Sequence, residues 1–254
     1  MGVDTLPRIV GKKSGMSLVG IVTALRAEAK CITPRRLPFN EMVRLREGTA
    51  IWVCGMGSDA ARQAAVGLRD QGVSALVSFG VAGALDETLR PGDLVLPERI
   101  HGEYLHPVSM EWRARIMHHL PQHVRVTGGT LATSYRVLTS EIEKRAFSEQ
   151  FGACAVDMES GAIAEIAANA GIPFVAIRAI TDPVEFSPPP TLLGAVHPDG
   201  SVNAIHLLSL VLRRSITITT LMRLAPSMRA ACATLLSVVK HADTELGGTF
   251  SHQY

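Results

Sequence analysis

The sequence has few cysteines and no clustered metal ligands. Its four cysteines occur singly, without a C-x-x-C pair, and its nine histidines form no H-E-x-x-H or similar spacing. Structural zinc sites need clustered ligands, and secreted disulfide scaffolds are short and rich in cysteine. We therefore expect reduced thiols in a cytoplasmic protein, no disulfide framework and no metal site.

Charge of one sign and long apolar segments are also lacking. The chain carries 25 basic and 23 acidic residues, a net charge of +2, without a block of like charge. This balance argues against a nucleic-acid partner and favours a small molecule. No uncharged apolar run reaches the ~18 residues that would span a bilayer. Residues 1–17 lack the apolar core of a signal peptide, and we expect them to form a disordered extension.

What the sequence does contain is a regular alternation of strand-like apolar runs and helical patterns. A chain of 254 residues with 47% hydrophobic content can bury a full core. The alternation predicts an α/β fold of three layers around a mixed, mostly parallel sheet. We expect one domain over residues 18–245 and a tail over residues 246–254. The predicted strands are Leu18–Ala24, Ala50–Cys54, Ala75–Phe79, Asp93–Leu96, Ala153–Val156 and Pro173–Ile180, and the predicted helices are Ala60–Arg69, Glu111–Leu120, Ser140–Gln150 and Ser160–Ala170.

Two carboxylates follow consecutive predicted strands at the point where each strand ends. Glu159 lies just beyond Ala153–Val156, and Asp182 lies just beyond Pro173–Ile180. In an open α/β sheet ligands bind at the carboxyl ends of the strands, so the two side chains should share one crevice. Either residue alone is more often a helix cap or a loop charge. Together they indicate a site that contains acids.

Two further strand ends carry features of the same kind. Glu28 follows the first strand, where the alternative is an exposed glutamate in the first turn of a helix. Gly80–Gly83 follows the third strand, where small residues let the backbone approach a flat ligand and the alternative is a plain bend. The Gly55-x-Gly57 turn lacks the third glycine of a dinucleotide fingerprint, so NAD is not expected. We expect no cofactor.

These strand ends lie in stretches that resemble the nucleoside phosphorylase and nucleosidase superfamily, which includes the methylthioadenosine/S-adenosylhomocysteine nucleosidases. The matching stretches are Val19–Glu28, Ser78–Pro97 and Ala155–Asp182, within a similarity that runs from Leu18 to Pro188. Within the superfamily the chain most resembles the hopanoid-associated phosphorylases. That likeness rests on A-V-D-M-E-S, on S-Y-R-V at 134–137, on P-D-G at 198–200 and on S-L-V-L-R-R at 209–214.

The resemblance implies roles for the three carboxylates. Cleavage of a ribose–purine bond builds positive charge on the sugar and negative charge on the leaving base. Asp182 corresponds to the acid near the purine N7, which relieves the charge on the base. Glu159 corresponds to the carboxylate that holds the ribose hydroxyls and favours the cationic sugar. Glu28 corresponds to the glutamate that activates water in the nucleosidases.

The resemblance also places residues around the substrate. Met158 would pack on the ribose as a soft thioether contact. Ala82, Gly83 and the backbone of Val137 would flank the purine. Arg136 stands where the nucleosidases carry an aromatic residue, so the purine site has either lost a stacking partner or gained a cation–π contact.

Two anion ligands of the superfamily are missing from this chain. Val81 stands in place of a serine, and Ser78 stands in place of the arginine that holds phosphate in the phosphorylases. Arg26 is the candidate for a substitute phosphate ligand, but one arginine is less than a phosphate site usually needs. We therefore favour water over phosphate as the nucleophile.

The C-terminal region is rich in apolar and basic residues. Residues 202–241 predict two helices, broken near Arg213–Ser215 or at Pro226. These helices are expected to cover the core or to form a subunit interface. Alternatively, with the Ser187–Pro190 loop, they form an apolar entrance for a lipid and turn their arginines toward anionic headgroups.

The predicted function is cleavage of the N-glycosidic bond of a purine ribonucleoside. The closer resemblance makes adenosylhopane the expected substrate, with adenine and ribosylhopane, or its phosphorylated form, as products. The alternatives are a methylthioadenosine/S-adenosylhomocysteine-type nucleosidase and a nucleoside-binding protein without catalysis, which should have lost one of the three carboxylates. We also expect a homo-oligomer, with a dimer favoured, and weak peripheral contact with the inner membrane.

Overall fold

A computed structural model describes residues 18–187 and 218–247, with the backbone alone described for 218–223. Within these residues eleven strands join one sheet and six α-helices pack around it. The strands are β1 (Val19–Thr23), β2 (Met42–Arg46), β3 (Thr49–Val53), β4 (Ala75–Ala84), β5 (Leu94–Val95), β6 (Arg99–His101), β7 (Leu105–Pro107), β8 (Val126–Thr127), β9 (Thr130–Thr133), β10 (Ala155–Asp157) and β11 (Phe174–Asp182). The helices are α1 (Arg26–Ile32), α2 (Ser58–Asp70), α3 (Met110–His119), α4 (Glu141–Phe151), α5 (Ser160–Ala170) and α6 (Ile218–His241), and a 3-10 helix follows at Asp243–Leu246.

The sheet is built around the long strand β4. This strand pairs in parallel with β1 and β11, and antiparallel with β10. On one side β1 leads to β3 and β2, and on the other side β10 leads to β9, β6 and β7. The carboxyl ends of β1, β4 and β11 consequently lie at the same edge of the sheet, where the candidate site is found.

Helices cover both faces of the sheet and give the fold three layers. Residues of α2 and α5, such as Ala64 and Ile163, pack in one core with Leu76 of β4. Residues of α1, α3 and α6 pack in a second core with Val77 of β4. Leu76 and Val77 enter different cores because successive strand residues point to opposite faces. The prediction of an α/β fold with a mixed sheet is confirmed.

The two central strands are longer than predicted. The sequence predicts that the third strand ends at Phe79 and that Gly80–Gly83 follows it, whereas β4 continues to Ala84. The predicted strand end is wrong because neighbouring strands form hydrogen bonds with residues 80–83 on both sides. Arg178 of β11 lies opposite the beginning of this segment, and Val156 of β10 lies opposite its end. The strand β11 likewise extends to Asp182, so this carboxylate is held by the sheet itself.

The C-terminal helix α6 passes through Pro226, so the predicted break at this proline is wrong. A proline inside a helix removes a hydrogen bond and costs about 3 kcal/mol. Burial of Ala231, Leu235 and Val238 in the second core offsets that cost. The other predicted break, near Arg213–Ser215, lies outside the described residues.

The body of the fold extends past residue 245. Leu246, expected as the first residue of a tail, is buried, and the Thr49 hydroxyl donates a 2.8 Å hydrogen bond to its carbonyl. Residues 1–17 and 248–254 lie outside the described residues. The extension and the division into one domain therefore stay predictions.

Candidate active site

One cavity of about 210 Å³ opens at the edge of the sheet where β1, β4 and β11 end. Eight of the nine site residues predicted from the sequence line it: Glu28, Ala82, Gly83, Arg136, Val137, Met158, Glu159 and Asp182. The remaining lining residues are Ala24, Leu25, Met56, Val81, Ser134, Leu138, Lys144, Val156, Asp157 and Thr181. The structure thus brings together predicted site residues that are up to 154 positions apart, from Glu28 to Asp182.

Glu28 lies in the first turn of α1 and is only 1% exposed, so the alternative of an exposed surface glutamate is wrong. Its Oε2 accepts hydrogen bonds from the Thr23 hydroxyl at 2.8 Å and from the backbone N–H groups of Ala24 and Leu25 at 3.0 and 2.8 Å. Its Oε1 accepts a 2.9 Å hydrogen bond from the backbone N–H of Val81. These four donors hold the carboxylate in one orientation at the cavity wall.

Next to Glu28 lies a buried arginine that was not among the predicted site residues. Arg178, in the middle of β11, is 1% exposed and does not itself line the cavity. Its Nη2 lies 2.9 Å from Oδ2 of Asp157 and 3.7 Å from Oε2 of Glu159, and it donates a 2.6 Å hydrogen bond to the Ser78 hydroxyl. We call Glu28, Asp157, Glu159 and Arg178 the Arg178 cluster.

Arg178 places a cation beside Ser78, although position 78 itself is a serine and not an arginine. The sequence indicates this buried cation, because Arg178 is a single charged residue in the middle of the apolar strand F-V-A-I-R-A-I-T-D. A buried charge in such a strand needs a partner of opposite sign to be tolerated. An arginine in a predicted core strand therefore indicates acids nearby, and these are the carboxylates of the cluster.

Glu159 reaches the cavity by a different route from the predicted one. The strand β10 runs antiparallel to β4, with Val156 opposite Gly83, so its carboxyl end does not point to the same edge as β1 and β11. It lies beside the cavity because two of its three residues, Ala155 and Val156, pair with the last two residues of the ten-residue β4. The chain then passes Met158 into α5, and Oε1 of Glu159 accepts a 2.8 Å hydrogen bond from the N–H of Gly57.

Burial raises the pKa of Glu159 to about 7. The neighbouring carboxylate of Asp157 acts in the same direction, whereas Arg178 and the N–H of Gly57 favour the ionised form and oppose the shift. Glu159 consequently titrates near neutral pH. In one state it accepts hydrogen bonds only, and in the other it also donates one.

The other end of the cavity holds a buried lysine that was also missed from the sequence. Lys144 of α4 is 1% exposed, and its Nζ lies 2.6 Å from Oδ2 of Asp182. The Thr181 hydroxyl donates a 2.8 Å hydrogen bond to Oδ1 of the same carboxylate. Oδ2 lies 2.9 Å from the point that a Cβ atom on Gly83 would occupy, so Gly83 leaves the carboxylate accessible to a flat ligand. We call Lys144 and Asp182 the Lys144 pair.

Arg136 lies at the rim of the cavity. Its guanidinium pairs with Oε1 of Glu143 at 2.7 Å, and its side chain is 65% exposed. Hydrogen bonds from the backbone N–H of Thr139 and from Arg136 lower the pKa of Glu143 to about 2. The guanidinium is therefore engaged by a carboxylate, and the cation–π contact with the purine stays a prediction.

Arg26 is the one predicted site residue that the structure keeps out of the cavity. Its Nη1 donates a 2.6 Å hydrogen bond to the carbonyl of Leu37, and it lines a separate hollow with Lys30, Arg35 and Arg36. The cause is local. Arg26 is the first residue of α1, and its side chain lies along the connection from α1 to β2 instead of in the cavity. Its position does not suit a ligand for phosphate in the cavity.

Among residues 18–187 and 218–247, no group of histidine, cysteine or acidic side chains is arranged to hold a metal ion. All four cysteines are free thiols, of which Cys31 and Cys54 are buried and Cys154 and Cys232 are half-buried.

The fold and the cavity define an α/β protein with an acid-lined site for a small molecule. The sequence model of the Phosphorylase superfamily matches residues 19–213, and the chain belongs to this superfamily. Among curated relatives, the 5′-methylthioadenosine/S-adenosylhomocysteine nucleosidases of Mycobacterium bovis and Mycobacterium tuberculosis are each 28% identical over 170 residues. Each match covers 50% of this chain and 67% of the relative.

Solved structures of similar fold cover almost the whole chain. The 5′-methylthioadenosine/S-adenosylhomocysteine nucleosidase of Neisseria meningitidis, in complex with methylthio-immucillin-A, has a TM-score of 0.69 at 16% identity, over 91% of this chain and 100% of that one. The nucleosidase of the same name from Helicobacter pylori has a TM-score of 0.65 at 18% identity, over 89% and 99%. The futalosine hydrolase of Helicobacter pylori has a TM-score of 0.64 at 18% identity, over 89% and 98%. These structures confirm the fold.

Proposed function

We propose that this protein is a nucleosidase, which cleaves the N-glycosidic bond of a purine ribonucleoside and releases adenine. The observation that carries the proposal is the meeting of Glu28, Glu159 and Asp182 in one cavity. A protein that only binds nucleosides has no need of three carboxylates around its ligand, whereas glycosidic cleavage needs acids and bases at both ends of the broken bond. The nucleosidase names of the mycobacterial relatives support the same class of reaction.

In this proposal Glu28 is the base that takes a proton from the attacking water. Its Oε1 accepts one hydrogen bond, from Val81, and keeps a lone pair for a second donor at the cavity wall. A water bound there attacks C1′ of the ribose as the purine leaves. The fixed orientation of the carboxylate favours this role because the base does not have to be repositioned during the reaction.

Water suits the Arg178 cluster better than phosphate does. The cluster contains three carboxyl groups and one guanidinium, so its acidic groups outnumber its cation. A phosphate dianion beside this cluster meets an excess of negative charge in a poorly solvated place, whereas a neutral water does not. The same excess favours the positive charge that develops on the ribose.

The remaining lining residues fit the sugar and the base. Glu159 accepts hydrogen bonds from the ribose hydroxyls, and the half-buried Met158 packs on the sugar. The purine lies against Ala82 and Gly83, with the backbone of Val137 on its other face. Asp182 borders this flat space and carries the proton to N7 of the leaving base.

The 5′ substituent of the ribose distinguishes two proposed substrates. The resemblance to the hopanoid-associated phosphorylases favours adenosylhopane, with adenine and ribosylhopane as products. The names of the mycobacterial relatives favour methylthioadenosine or S-adenosylhomocysteine instead. Ranking kcat/KM for adenine release from adenosylhopane, methylthioadenosine and S-adenosylhomocysteine tests both. Activity on none of them contradicts the proposed function, and a preference for the thio-nucleosides contradicts the hopanoid assignment.

We also propose that the protein is a homo-oligomer, most simply a dimer. Leu105, the first residue of the edge strand β7, exposes 51% of its surface, and Tyr104 just before it exposes 65%. Exposed apolar residues on a sheet edge favour pairing with another chain. Light scattering coupled to gel filtration should give at least twice the 27.2 kDa chain mass. A Tyr104→Lys, Leu105→Lys variant should give a smaller particle, and an unchanged mass contradicts this interface.

Weak contact with anionic membranes is the last part of the proposal. None of the described helices is long and apolar enough to cross a membrane. The predicted contact surface lies mainly in residues 188–217, outside the described residues, and rests on their apolar and basic composition. Flotation with anionic vesicles should show salt-sensitive association that weakens when Arg213 and Arg214 are changed to Gln. No association at low salt contradicts this part alone.

A further inference from the structure

Lys144 is a buried charge for which the reaction described above gives no role. Its ammonium group has three N–H donors, and the structure provides three acceptors. These are Oδ2 of Asp182 at 2.6 Å and the carbonyls of Pro183 and Phe186 at 2.8 and 2.9 Å. The lysine therefore holds both the carboxylate and the chain that leaves β11.

The position of this lysine is unusual for its helix. Other charged residues of α4 are exposed and pair on the surface, as Arg145 does with Glu141. Lys144 is instead turned inward and lines the cavity. Burying an ammonium group is unfavourable unless a partner compensates it, so its placement against Asp182 calls for an explanation beyond surface charge.

We propose that Lys144 is a positioning residue for Asp182, and that it supplies the proton which Asp182 passes to the leaving purine. This inference rests on the proposed function and deepens it. A carboxylate paired with an ammonium group has no proton of its own to give. The ammonium group next to it has one, and the two groups are joined by a short hydrogen bond.

The proton moves along one line of atoms. As the C1′–N9 bond breaks, its electron pair leaves with the purine and charge develops at N7. An Nζ–H bond of Lys144 breaks and an Oδ2–H bond of Asp182 forms. That bond then breaks as N7–H forms, so Asp182 is again a carboxylate. After the products leave, solvent returns a proton to the neutral amine of Lys144 and takes up the proton that Glu28 removed from the attacking water, so each group is back in its starting state.

A comparison of leaving groups separates this role from a structural one. Lys144→Met should lower the turnover of methylthioadenosine or adenosylhopane, whichever the parent cleaves better, by about 10²-fold or more, as for loss of general acid catalysis. p-Nitrophenyl riboside has a leaving group that needs no proton, so its turnover should fall less than about 5-fold by the same reasoning. The exposed Lys240→Met is the matched control, with no change expected on either substrate. Equal losses on both substrates would overturn the proposal.

A double substitution provides a second test that does not need the nitrophenyl substrate or a well-folded single variant. Lys144→Met leaves Asp182 buried without its cation, whereas Lys144→Met with Asp182→Asn removes both charges together. If Lys144 acts through Asp182, the double variant should be as active as Asp182→Asn alone, within about 3-fold. A further loss of 10-fold or more in the double variant would overturn the proposal in favour of a structural anchor.

The parent protein distinguishes this inference from the function on which it rests. Failure of the parent to release adenine from any of the substrates overturns the proposed function, and the inference with it. If the parent releases adenine and Lys144→Met releases it at the same rate, the inference is overturned while the proposed function stands.

Discussion

The two ends of the cavity differ in how far their buried charges are compensated. The Arg178 cluster sets three carboxylates against one guanidinium, so it keeps an excess of negative charge. The Lys144 pair sets one carboxylate against one ammonium group and is balanced. An unbalanced cluster stabilises a cation next to it, and a balanced pair can move a proton without creating a net charge. The polarity of the site thus matches a reaction that makes the sugar positive and the base negative.

The two ends also differ in how they are held. In the Arg178 cluster, Arg178 lies within the central sheet and Glu28 is fixed by four hydrogen bonds. In the Lys144 pair, the lysine comes from α4 and its other partners are carbonyls of Pro183 and Phe186 just beyond β11. Damage to the first end should therefore affect folding, and damage to the second should affect mainly catalysis.

The largest effect is expected from Arg178→Met. Removing the only cation of the cluster leaves buried carboxylates without compensation, which costs about 3–5 kcal/mol of stability. Urea unfolding at pH 7 checks this, with the exposed Arg99→Met as the matched control that should stay close to the parent. Loss of less than about 1 kcal/mol, the value of a surface ion pair, would mean that the cluster does not depend on this cation.

Asp182→Asn should act on the reaction more than on the fold. Asparagine keeps the shape of the side chain but cannot pass a proton, so adenine release should fall by about 10²–10⁴-fold while nucleoside binding largely survives. Steady-state kinetics and a binding titration on the same variant check the two parts. The exposed Asp70→Asn is the control. Turnover within a few-fold of the parent would rule out Asp182 as the carrier of the proton.

Two glycines allow the ends to be disturbed separately. A Cβ at Gly80 would lie 2.4 Å from Oε1 of Glu28 and 2.6 Å from Nη1 of Arg178, whereas one at Gly83 would lie 2.9 Å from Oδ2 of Asp182. Gly80→Ala overpacks the rigid cluster and should lower stability by about 1–3 kcal/mol. Gly83→Ala should lower turnover with a smaller change in stability. Unfolding and kinetics of both variants check this, and equal stability losses would contradict the difference in rigidity.

Glu159→Gln gives a smaller effect that depends on pH. The pKa of Glu159 is raised in the folded protein to about 7, from 4.5 for an ordinary glutamate. The folded state then binds more protons than the unfolded state between these values, so the parent loses stability as pH rises through this range. Glutamine does not titrate. Between pH 5 and pH 8 the free energy of unfolding of the variant should therefore rise relative to that of the parent by an amount on the order of 1–3 kcal/mol. If the difference in free energy of unfolding between the variant and the parent is the same at pH 5 and at pH 8, the raised pKa of Glu159 is contradicted.

The smallest effect is expected at Arg26. Its guanidinium bonds the carbonyl of Leu37 outside the cavity. Arg26→Gln should therefore leave adenine release within a factor of about 2 of the parent, with or without phosphate, as for a surface substitution away from the site. A phosphate-dependent loss in this variant would show that Arg26 takes part after all.

Three of the four carboxylates that line the cavity could be predicted from sequence because each lies near the end of its own strand, whereas Asp157, the last residue of β10, was not predicted. Glu28 and Asp182 lie at the ends of parallel strands, where local pattern and the geometry of open sheets agree. Glu159 was predicted correctly as a lining residue, but for a reason that fails, since β10 is antiparallel to β4. Pairing direction depends on contacts that local pattern does not contain.

The two cations could not be predicted in the same way. Lys144 lies in E-I-E-K-R-A-F, which looks like the charged face of a surface helix, and only its packing on the chain beyond β11 buries it. Arg178 was visible as a charge in an apolar strand, but its partners come from 21 and 19 positions earlier in the chain, at Asp157 and Glu159. A buried charge is recognisable from sequence, whereas its partner has to come from the fold.

The identity of the sugar product tests the central claim most directly, which is our proposal that the excess of acidic groups in the Arg178 cluster favours water over phosphate. The parent protein is incubated with its best nucleoside substrate and a saturating concentration of phosphate, and the sugar is identified by mass spectrometry and phosphorus NMR. We predict a free reducing sugar and a rate that does not change with phosphate. A sugar 1-phosphate, formed at a rate that saturates with phosphate, would contradict the account.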